Sequence, residues 1–269
     1  MNPTALCLIG MNRPLVIAHR GYSQLAPENT LPSFRLALAA RADLVELDFH
    51  QTKDGQLIVL HDRELDRTTD ARKRWRRKHI RVNAKTAVEI QSLDAGSWFD
   101  ARHAGARVPL LAEALDTIQK DGITLLESKS GEPAACVQLL RSKGLINKVV
   151  VQSFDWAFLR KIHEDEPKLL LAALGPPETL PNGKRPRRVF RKLSAEWING
   201  VQKIGAKVIV WNKQISKRAV HLAHARGLKV WIYTIDNPKL AKRLLEQGVD
   251  GLITNNPPLI GKTIAPRPA

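Results

Sequence analysis

Short apolar runs alternate with amphipathic stretches along most of the chain. Runs rich in aliphatic and β-branched residues predict strands at 15–19, 44–49, 57–61, 123–127, 148–152, 168–174, 207–211, 229–235 and 251–254. Between most of these runs, apolar positions recur with helical spacing, which predicts helices that include 30–40, 110–120, 133–143, 216–226 and 238–247. Strand alternating with helix is typical of parallel β/α architecture.

The number of strands indicates which parallel architecture this is. If the run at 57–61 is a hairpin-like outer extension of the second strand, eight parallel strands remain, and we predict an α/β fold of the TIM (β/α)8 barrel type. The segment 63–108 is too long for a simple connection. We therefore predict that it forms a cap-like insertion after the second strand, over the barrel mouth. We expect the whole chain, 1–269, to form a single domain.

The net charge indicates which kinds of partner this protein can bind. A formal charge of +17 over 269 residues favours anionic partners such as phosphate groups, anionic lipid or nucleic acid. Basic residues concentrate in Arg72–Lys78, around Trp75, and in a predicted exposed loop that contains Lys184–Arg188.

Cysteine usage and the start of the chain bear on the compartment. Cys7 and Cys136 form neither a disulfide framework nor a zinc motif, and no apolar window is long enough to span a membrane, so we expect a cytoplasmic protein. Residues 1–10 are expected to be a dispensable leader or a start-site artefact.

Carboxylates stand at the ends of two predicted strands. Residues two apart in a strand share a face, so Glu46 and Asp48 point the same way, and Glu127 and Lys129 repeat the pattern. In a parallel barrel the carboxyl ends of all strands open on one face, where active sites are built. We therefore expect one site that gathers His19, Arg20, Glu46, Asp48, His61, Glu127 and Lys129.

Three carboxylates in one pocket need compensating charge. Two of them about 4 Å apart repel by roughly 4 kcal/mol at an effective dielectric constant near 20. A hard divalent cation, Mg2+ or Ca2+, is the simplest partner for oxygen ligands, and we predict one at Glu46, Asp48 and Glu127. The alternative is that Glu46 or Glu127 only forms an ion pair with Arg20 or Lys129.

Two of the eight histidines differ from the rest. His19 and His61 each end an apolar strand and precede a charged residue, and an imidazole can take or give a proton near neutral pH. This favours acid–base catalysis of phosphoester hydrolysis by the two histidines. Arg20 and Lys129 would then neutralise the phosphoryl oxygens. The alternative for these two cations is a solvated face of ion pairs. We interpret the other six as hydrogen-bonded structural residues: His50, His79, His103, His163, His221 and His224.

A series of ordered motifs closely resembles the glycerophosphodiester phosphodiesterase family. The resemblance spans about residues 15–258, and its motifs are HRG at 19–21, PENT at 27–30, ELD at 46–48, HD at 61–62, LDRTT at 65–69, LDAGSWF at 93–99, VPL at 108–110, LESK at 126–129, QSFD at 152–155 and GVDGLIT at 248–254.

This resemblance implies a TIM barrel with an insertion after the second strand. It implies hydrolysis of glycerophosphodiesters to glycerol 3-phosphate and an alcohol, with His19 and His61 as the acid–base pair. By the same resemblance, Glu46, Asp48 and Glu127 bind the divalent metal, and Arg20 and Lys129 hold the phosphate. The chain reads Tyr233-Thr-Ile-Asp where the family commonly has Trp-Thr-Val-Asn, so Tyr233 is expected to form an altered aromatic wall for the substrate.

Two alternative functions remain open from the sequence. A lysophospholipase D-like enzyme would cleave the head group of a lysophospholipid, and an apolar cap surface beside the mouth would favour it. A non-catalytic protein that binds nucleic acid or a membrane surface would use the Lys/Arg runs, but we recognise no nucleic-acid-binding motif and expect no nucleic-acid partner. Recruitment to anionic lipid through Arg72–Lys78 is a further expectation.

Overall fold

The structure is a computed structural model that describes residues 4–186 and 191–264. Its nine strands within these residues are β1 (Leu15–Ala18), β2 (Leu44–Gln51), β3 (Leu57–Val59), β4 (Ile123–Ser128), β5 (Val149–Ser153), β6 (Leu170–Gly175), β7 (Val208–Trp211), β8 (Lys229–Ile232) and β9 (Gly251–Thr254). The predicted strands are thus present, although β8 ends at Ile232 rather than at residue 235. The predicted basic run Lys184–Arg188 lies partly outside the described residues.

Eleven α-helices are present in the same residues. They are α1 (Ala5–Ile9), α2 (Leu31–Ala39), α3 (Ala71–Trp75), α4 (Ala87–Gln91), α5 (Leu111–Ile118), α6 (Pro133–Ser142), α7 (Trp156–Asp165), α8 (Ala195–Lys203), α9 (Lys217–His224), α10 (Pro238–Leu245) and α11 (Pro257–Gly261). Two short 3-10 turns, Val82–Ala84 and Ala101–His103, lie in the insertion. Among the described residues, no helix combines the length and apolar character that a membrane crossing requires.

Polar side chains fix where several helices begin. The Asn237 carboxamide oxygen accepts hydrogen bonds from the backbone N–H groups of Lys239 and Leu240 at 2.9 and 3.1 Å, and Pro238 occupies the first helical position of α10. Asp155 caps α7 in the same way. Asp155 and Asn237 lie only a few residues after β5 and β8, so α7 and α10 begin close to the carboxyl ends of these strands.

Eight parallel strands close into a barrel. The hydrogen-bonded order is β1-β9-β8-β7-β6-β5-β4-β2, and the pairing of β1 with β2, at Ile17 and Leu44, completes the circle. The short strand β3 pairs antiparallel with the outer end of β2, where Phe49 lies opposite Val59. This confirms the TIM (β/α)8 barrel and the hairpin-like extension at 57–61.

Apolar side chains of the strands point alternately into and out of the barrel. One buried cluster fills the interior, with Leu44, Leu125 and Val150 as members from three neighbouring strands. Residues one position along, such as Val45 and Leu126, belong to the cluster between the strands and the helices. This alternation determines which polar residues at the strand ends face the barrel axis.

The long connection from 63 to 108 forms a small layer of its own. Its buried apolar side chains, including Leu65, Ile80 and Leu93, cluster separately from the barrel core. Its first residues, Arg63 and Glu64, line the cavity at the carboxyl ends of the strands. The predicted insertion beside the mouth is therefore present, whereas the assignment of the whole chain to one domain stays a prediction.

Residues of α1 pack into the core, which argues against the expected dispensable leader. In α1, Ala5, Leu8 and Ile9 are buried and join the interior cluster that contains Leu15. The Ala5 backbone N–H also donates to the Asn147 carbonyl oxygen at 2.9 Å. The sequence before the first strand lacks a strand pattern, but its apolar side chains cover the amino end of the barrel.

Candidate active site

The barrel register brings the predicted carboxylates together. Glu46 lies two residues beyond the inward-facing Leu44, and Asp48 two residues further, so both side chains enter the barrel. Glu127 pairs with Asp48 across the ladder and is also inward. Candidate ligand atoms of the three carboxylates all lie within 4.8 Å of one another, and none of these residues is more than 6% exposed.

Two basic side chains neutralise part of this acidic cluster. Lys129 Nζ lies 3.2 Å from Asp48 Oδ1 and contacts Glu127 Oε1 directly. Arg20 Nε lies 3.3 Å from Asp48 Oδ2. Of the ion pairs left open as an alternative, the pair between Glu127 and Lys129 is present, and Asp48 pairs with both cations.

The ion pairs leave the cluster short of positive charge. Burial, together with the neighbouring Asp48, raises the pKa of Glu127 to about 7 and the pKa of Glu46 well above its ordinary value. Burial also acts on Asp48, but Lys129 and Arg20 outweigh it and lower the pKa of Asp48 to about 2. Without a further cation, both glutamates keep their protons to a higher pH than an ordinary glutamate does.

One carboxylate oxygen has no hydrogen-bond partner among the described residues. Glu46 Oε2 accepts a hydrogen bond from the Arg20 backbone N–H at 2.7 Å, whereas Glu46 Oε1 is buried without any hydrogen bond. An unpaired buried carboxylate oxygen is costly, and a hard divalent cation with oxygen ligands would satisfy it. The donor set of Glu46, Asp48 and Glu127 therefore fits such an ion.

The turn after β1 explains the HRG motif. Arg20 has a φ of 55° and Gly21 a φ of 80°, so two successive residues adopt the left-handed region. A Cβ on Gly21 would lie 2.4 Å from Ser33 Oγ, which requires glycine there. This turn aims the Arg20 backbone N–H at Glu46 and its side chain at Asp48 and Glu28.

The partner of His19 fixes which ring nitrogen carries the proton. His19 Nδ1 lies 2.7 Å from the Asn255 amide oxygen, and the Asn255 amide nitrogen donates to Asp236 Oδ2 at 2.7 Å. Because the Asp236 carboxylate only accepts, the Asn255 oxygen must face His19, so Nδ1 donates. Burial and the adjacent Arg20 lower the pKa of His19 to about 4, which leaves its Nε2 with a free lone pair at neutral pH.

His61 has a different kind of partner. Its Nδ1 lies 2.6 Å from Asp62 Oδ1, and Arg67 Nε donates to Asp62 Oδ2 at 2.6 Å. Arg67 also forms two hydrogen bonds with Glu28, which in turn accepts from Arg20. The hydrogen bond from His61 is the main cause that holds the pKa of Asp62 well below its usual range. His61 is thus paired with a permanent anion, whereas His19 is paired with a neutral amide.

A cavity of about 1050 Å³ opens beside these groups. Its lining includes His61, Glu127, Lys129 and Phe154. Tyr233 packs edge-on against Phe154, with ring centroids 6.0 Å apart, and its hydroxyl donates to the Gly175 carbonyl oxygen at 3.0 Å. The structure therefore places Tyr233 beside Phe154 and near Glu127 and Lys129, and the other seven predicted residues gather around the acidic cluster.

Several residues of the site were not among those predicted. Asn29 donates to Asp48 Oδ2 at 2.8 Å, and Gln152 lies beside Glu127 in the ladder. Asp62 and Arg67 hold His61. All four belong to the ordered motifs, so the motifs were a signal for them. Asn255 directly follows β9, and its position after a strand end was the only hint of its contact with His19.

Comparisons with known proteins identify relatives that match almost the whole chain. A glycerophosphodiester phosphodiesterase from Bacillus subtilis (strain 168) is 32% identical, over 95% of this chain and 88% of the relative. One from Caldanaerobacter subterraneus subsp. tengcongensis is 31% identical, over 91% of this chain and 95% of the relative. An Oleispira antarctica phosphodiesterase, solved with the product sn-glycerol-3-phosphate, superposes with a TM-score of 0.79 at 26% identity, covering 93% of this chain and 96% of that one.

A second solved structure and a family model extend the comparison. A glycerophosphodiester phosphodiesterase from Agrobacterium tumefaciens has a TM-score of 0.75 at 26% identity, covering 93% of this chain and 99% of that one. The model of the Glycerophosphoryl diester phosphodiesterase family matches residues 19–259, which include all of the site described above. The chain therefore belongs to the glycerophosphoryl diester phosphodiesterase family.

Proposed function

We propose that this protein hydrolyses glycerophosphodiesters to glycerol 3-phosphate and an alcohol with the help of one divalent cation. The observation that carries the proposal is the buried acidic cluster, with its unpartnered Glu46 oxygen, next to two histidines that have opposite kinds of partner. Family membership supports the same reaction, and the related Oleispira enzyme holds the corresponding product.

Glu46, Asp48 and Glu127 would hold the cation, Mg2+ or Ca2+. When bound, it would stabilise negative charge on the phosphoryl group. Arg20 and Lys129 lie at the same cluster and would hold the phosphate oxygens through charge-assisted hydrogen bonds. Both side chains are mostly buried, which strengthens these interactions relative to water.

The two histidines would divide the proton transfers. His19 offers a free lone pair at Nε2, since Asn255 fixes its proton on Nδ1, so it would accept a proton from the water molecule whose oxygen bonds to phosphorus. His61 Nδ1 lies against the Asp62 carboxylate, which orients the ring, so His61 would donate a proton to the leaving alcohol oxygen. Each imidazole then carries one of the two transfers that hydrolysis requires.

The cavity walls favour small water-soluble diesters over lysophospholipids. The insertion contributes Arg63 and Glu64 to the lining, and Asp62 directly precedes it; all three are polar and do not form the apolar surface that a lysophospholipid chain needs. Phe154, with Tyr233 packed edge-on beside it, would provide a limited aromatic wall for the substrate. We therefore assign the alcohol moiety to a polar class.

An assay of the purified protein tests this proposal. The cations are stripped, Mg2+ or Ca2+ is added back, and release of glycerol 3-phosphate is followed from several glycerophosphodiesters and from lysophospholipids. We expect cation-dependent release from the former, and loss of at least about 10²-fold in His19→Ala. Undiminished turnover with excess chelator, or in His19→Ala, would contradict the assigned chemistry.

Peripheral contact with anionic membranes is a second part of the proposal. Within Arg72–Lys78, the six cationic side chains are all exposed, and Trp75 is half-buried with Lys85 Nζ 4.3 Å from its ring centroid. Replacing the six cations by glutamine should abolish binding to anionic vesicles and spare hydrolysis of soluble diesters. Equal vesicle binding would exclude this surface. A cytoplasmic location and the lack of a nucleic-acid partner stay predictions.

A further inference from the structure

Gln152 is a buried amide at the edge of the acidic cluster, and neither the motifs nor the histidine chemistry gives it a task. It lies in β5 two residues beyond Val150, whose side chain belongs to the barrel interior, so its own side chain also points inward. In the ladder Gln152 stands between Glu127 and Ala172. The small side chain of Ala172 leaves the carboxamide next to Glu127.

The carboxamide is only half satisfied. Gln152 is 2% exposed, and its Nε2 donates a long hydrogen bond of 3.4 Å to Glu127 Oε2. Gln152 Oε1 is buried and has no hydrogen-bond partner among the described residues. Buried amide oxygens without a partner are costly, so the site as it stands is incomplete around this atom.

Exchanging the amide oxygen and nitrogen does not remove the problem. The exchanged orientation would place Oε1 3.4 Å from Glu127 Oε2, with lone pairs facing each other. A cation beside the Glu127 carboxylate would stabilise either orientation of the Gln152 carboxamide, because it attracts both Gln152 Oε1 and Glu127 Oε2. Glu46 Oε1, the other unpartnered oxygen of the cluster, has the same need.

We propose that Gln152 supplies, through Oε1, a fourth protein oxygen ligand to the divalent cation held by Glu46, Asp48 and Glu127. The inference rests on the proposed function, since it concerns the same cation. Three carboxylates and one neutral amide form an oxygen-only donor set, and amide oxygens are common ligands of Ca2+. The neutral ligand adds coordination without adding a fourth negative charge to the buried cluster.

Cation binding without substrate tests this inference. Dissociation constants for Ca2+ and Mg2+ are measured by titration calorimetry for the wild type, Gln152→Leu and Gln152→Glu. Gln247→Leu is the matched control, because Gln247 Oε1 is also buried without a partner but lies outside the acidic cluster. Thermal unfolding in chelator establishes that each variant is folded.

For the cation that the wild type binds more tightly, Gln152→Leu should weaken binding by about 10-fold or more. Gln152→Glu should restore it, since a carboxylate oxygen replaces the amide oxygen, and Gln247→Leu should match the wild type. Binding by Gln152→Leu as tight as in the wild type would overturn the inference. So would equal losses in Gln152→Leu and Gln152→Glu.

A spectroscopic measurement covers the case in which Gln152→Leu folds poorly. Luminescence lifetimes of bound Tb3+ in H2O and D2O count the water molecules on the ion, and Gln152→Ser should show more bound water than the wild type. An unchanged water count would count against Oε1 as a ligand.

A separate assay of diester hydrolysis by the wild type distinguishes failure of the proposed function from failure of this inference. Cation binding that depends on Gln152 without diester hydrolysis would refute only the proposed function. Cation-dependent hydrolysis with Gln152-independent binding would refute only this inference.

Discussion

Asn255 holds the imidazole of His19 through its amide oxygen, 2.7 Å from Nδ1, across 236 positions of sequence. The Asp236 carboxylate fixes the Asn255 amide orientation, so the contact determines the tautomer of His19 and the direction of its free lone pair. The Ser23 hydroxyl, which donates to the same Asn255 oxygen at 2.9 Å, further restrains it.

Replacing Asn255 should therefore impair catalysis more than stability. Asn255→Leu is expected to lower kcat by about 10²-fold, because the His19 ring loses its fixed orientation. The steady-state kinetics are compared with those of Asn199→Leu, a change on an exposed surface of α8. Wild-type kcat in Asn255→Leu would show that the contact does not serve the reaction.

A substrate with a good leaving group should distinguish the two histidines. If His61 protonates the leaving alcohol, His61→Ala should lose at least about 10²-fold with an ordinary glycerophosphodiester. It should recover most of that loss with a p-nitrophenyl ester of glycerol phosphate, whose leaving group needs no proton. His19→Ala should stay slow with both substrates. The reverse pattern would exchange the two roles.

Arg67 should act as a positioning residue. It hydrogen-bonds both Glu28 and Asp62 and thereby connects the insertion to the partners of Arg20 and His61. Arg67→Met is expected to reduce kcat by about tenfold or more, with little change in melting temperature because the side chain is 45% exposed. Arg141→Met provides the matched control, since Arg141 is 47% exposed and pairs with two carboxylates elsewhere.

The metal-free protein should lose stability as the pH rises through the range in which Glu127 ionises. The pKa of Glu127 is raised from 4.5 to about 7, so the folded state holds a proton that the unfolded state has already released. Stability should therefore fall between about pH 4.5 and 7, and Mg2+ or Ca2+ should restore it more at pH 8 than at pH 5.5. Thermal unfolding with chelator or cation measures both effects.

Glu127→Gln is the control for this pH dependence, because it removes the titrating carboxyl and keeps the side-chain shape. Its metal-free melting temperature should fall less over the same range. Parallel curves for the wild type and Glu127→Gln would rule out Glu127 as the cause.

The first helix should contribute measurably to folding. Leu8 is 4% exposed in the barrel-interior cluster, so Leu8→Ala should lower the free energy of unfolding by about 2–3 kcal/mol. Leu6 lies on the same helix but is 67% exposed, and Leu6→Ala should change it by less than about 0.5 kcal/mol. Denaturant titrations of the two variants make the comparison, and equal effects would contradict the packing of α1.

The sequence alone determined the strands and the faces of their side chains. Alternation with a period of two is local, so the inward placement of Glu46, Asp48 and Glu127 follows from the residues beside them. The gathering of these side chains with His19, Arg20, His61 and Lys129 then follows from the parallel barrel. The end of β8 and the packing of α1 did not follow, because both depend on contacts with distant parts of the chain.

Only the tertiary structure decided how these groups are paired. Which partner each histidine receives depends on barrel closure, which brings Asn255 to His19, and on the fold of the insertion, which brings Arg67 to Asp62. The same register sets the unpartnered oxygen of Gln152 beside Glu127. Local patterns specify the face on which a side chain lies, but strand order, register and rotamer together determine the atoms that it meets.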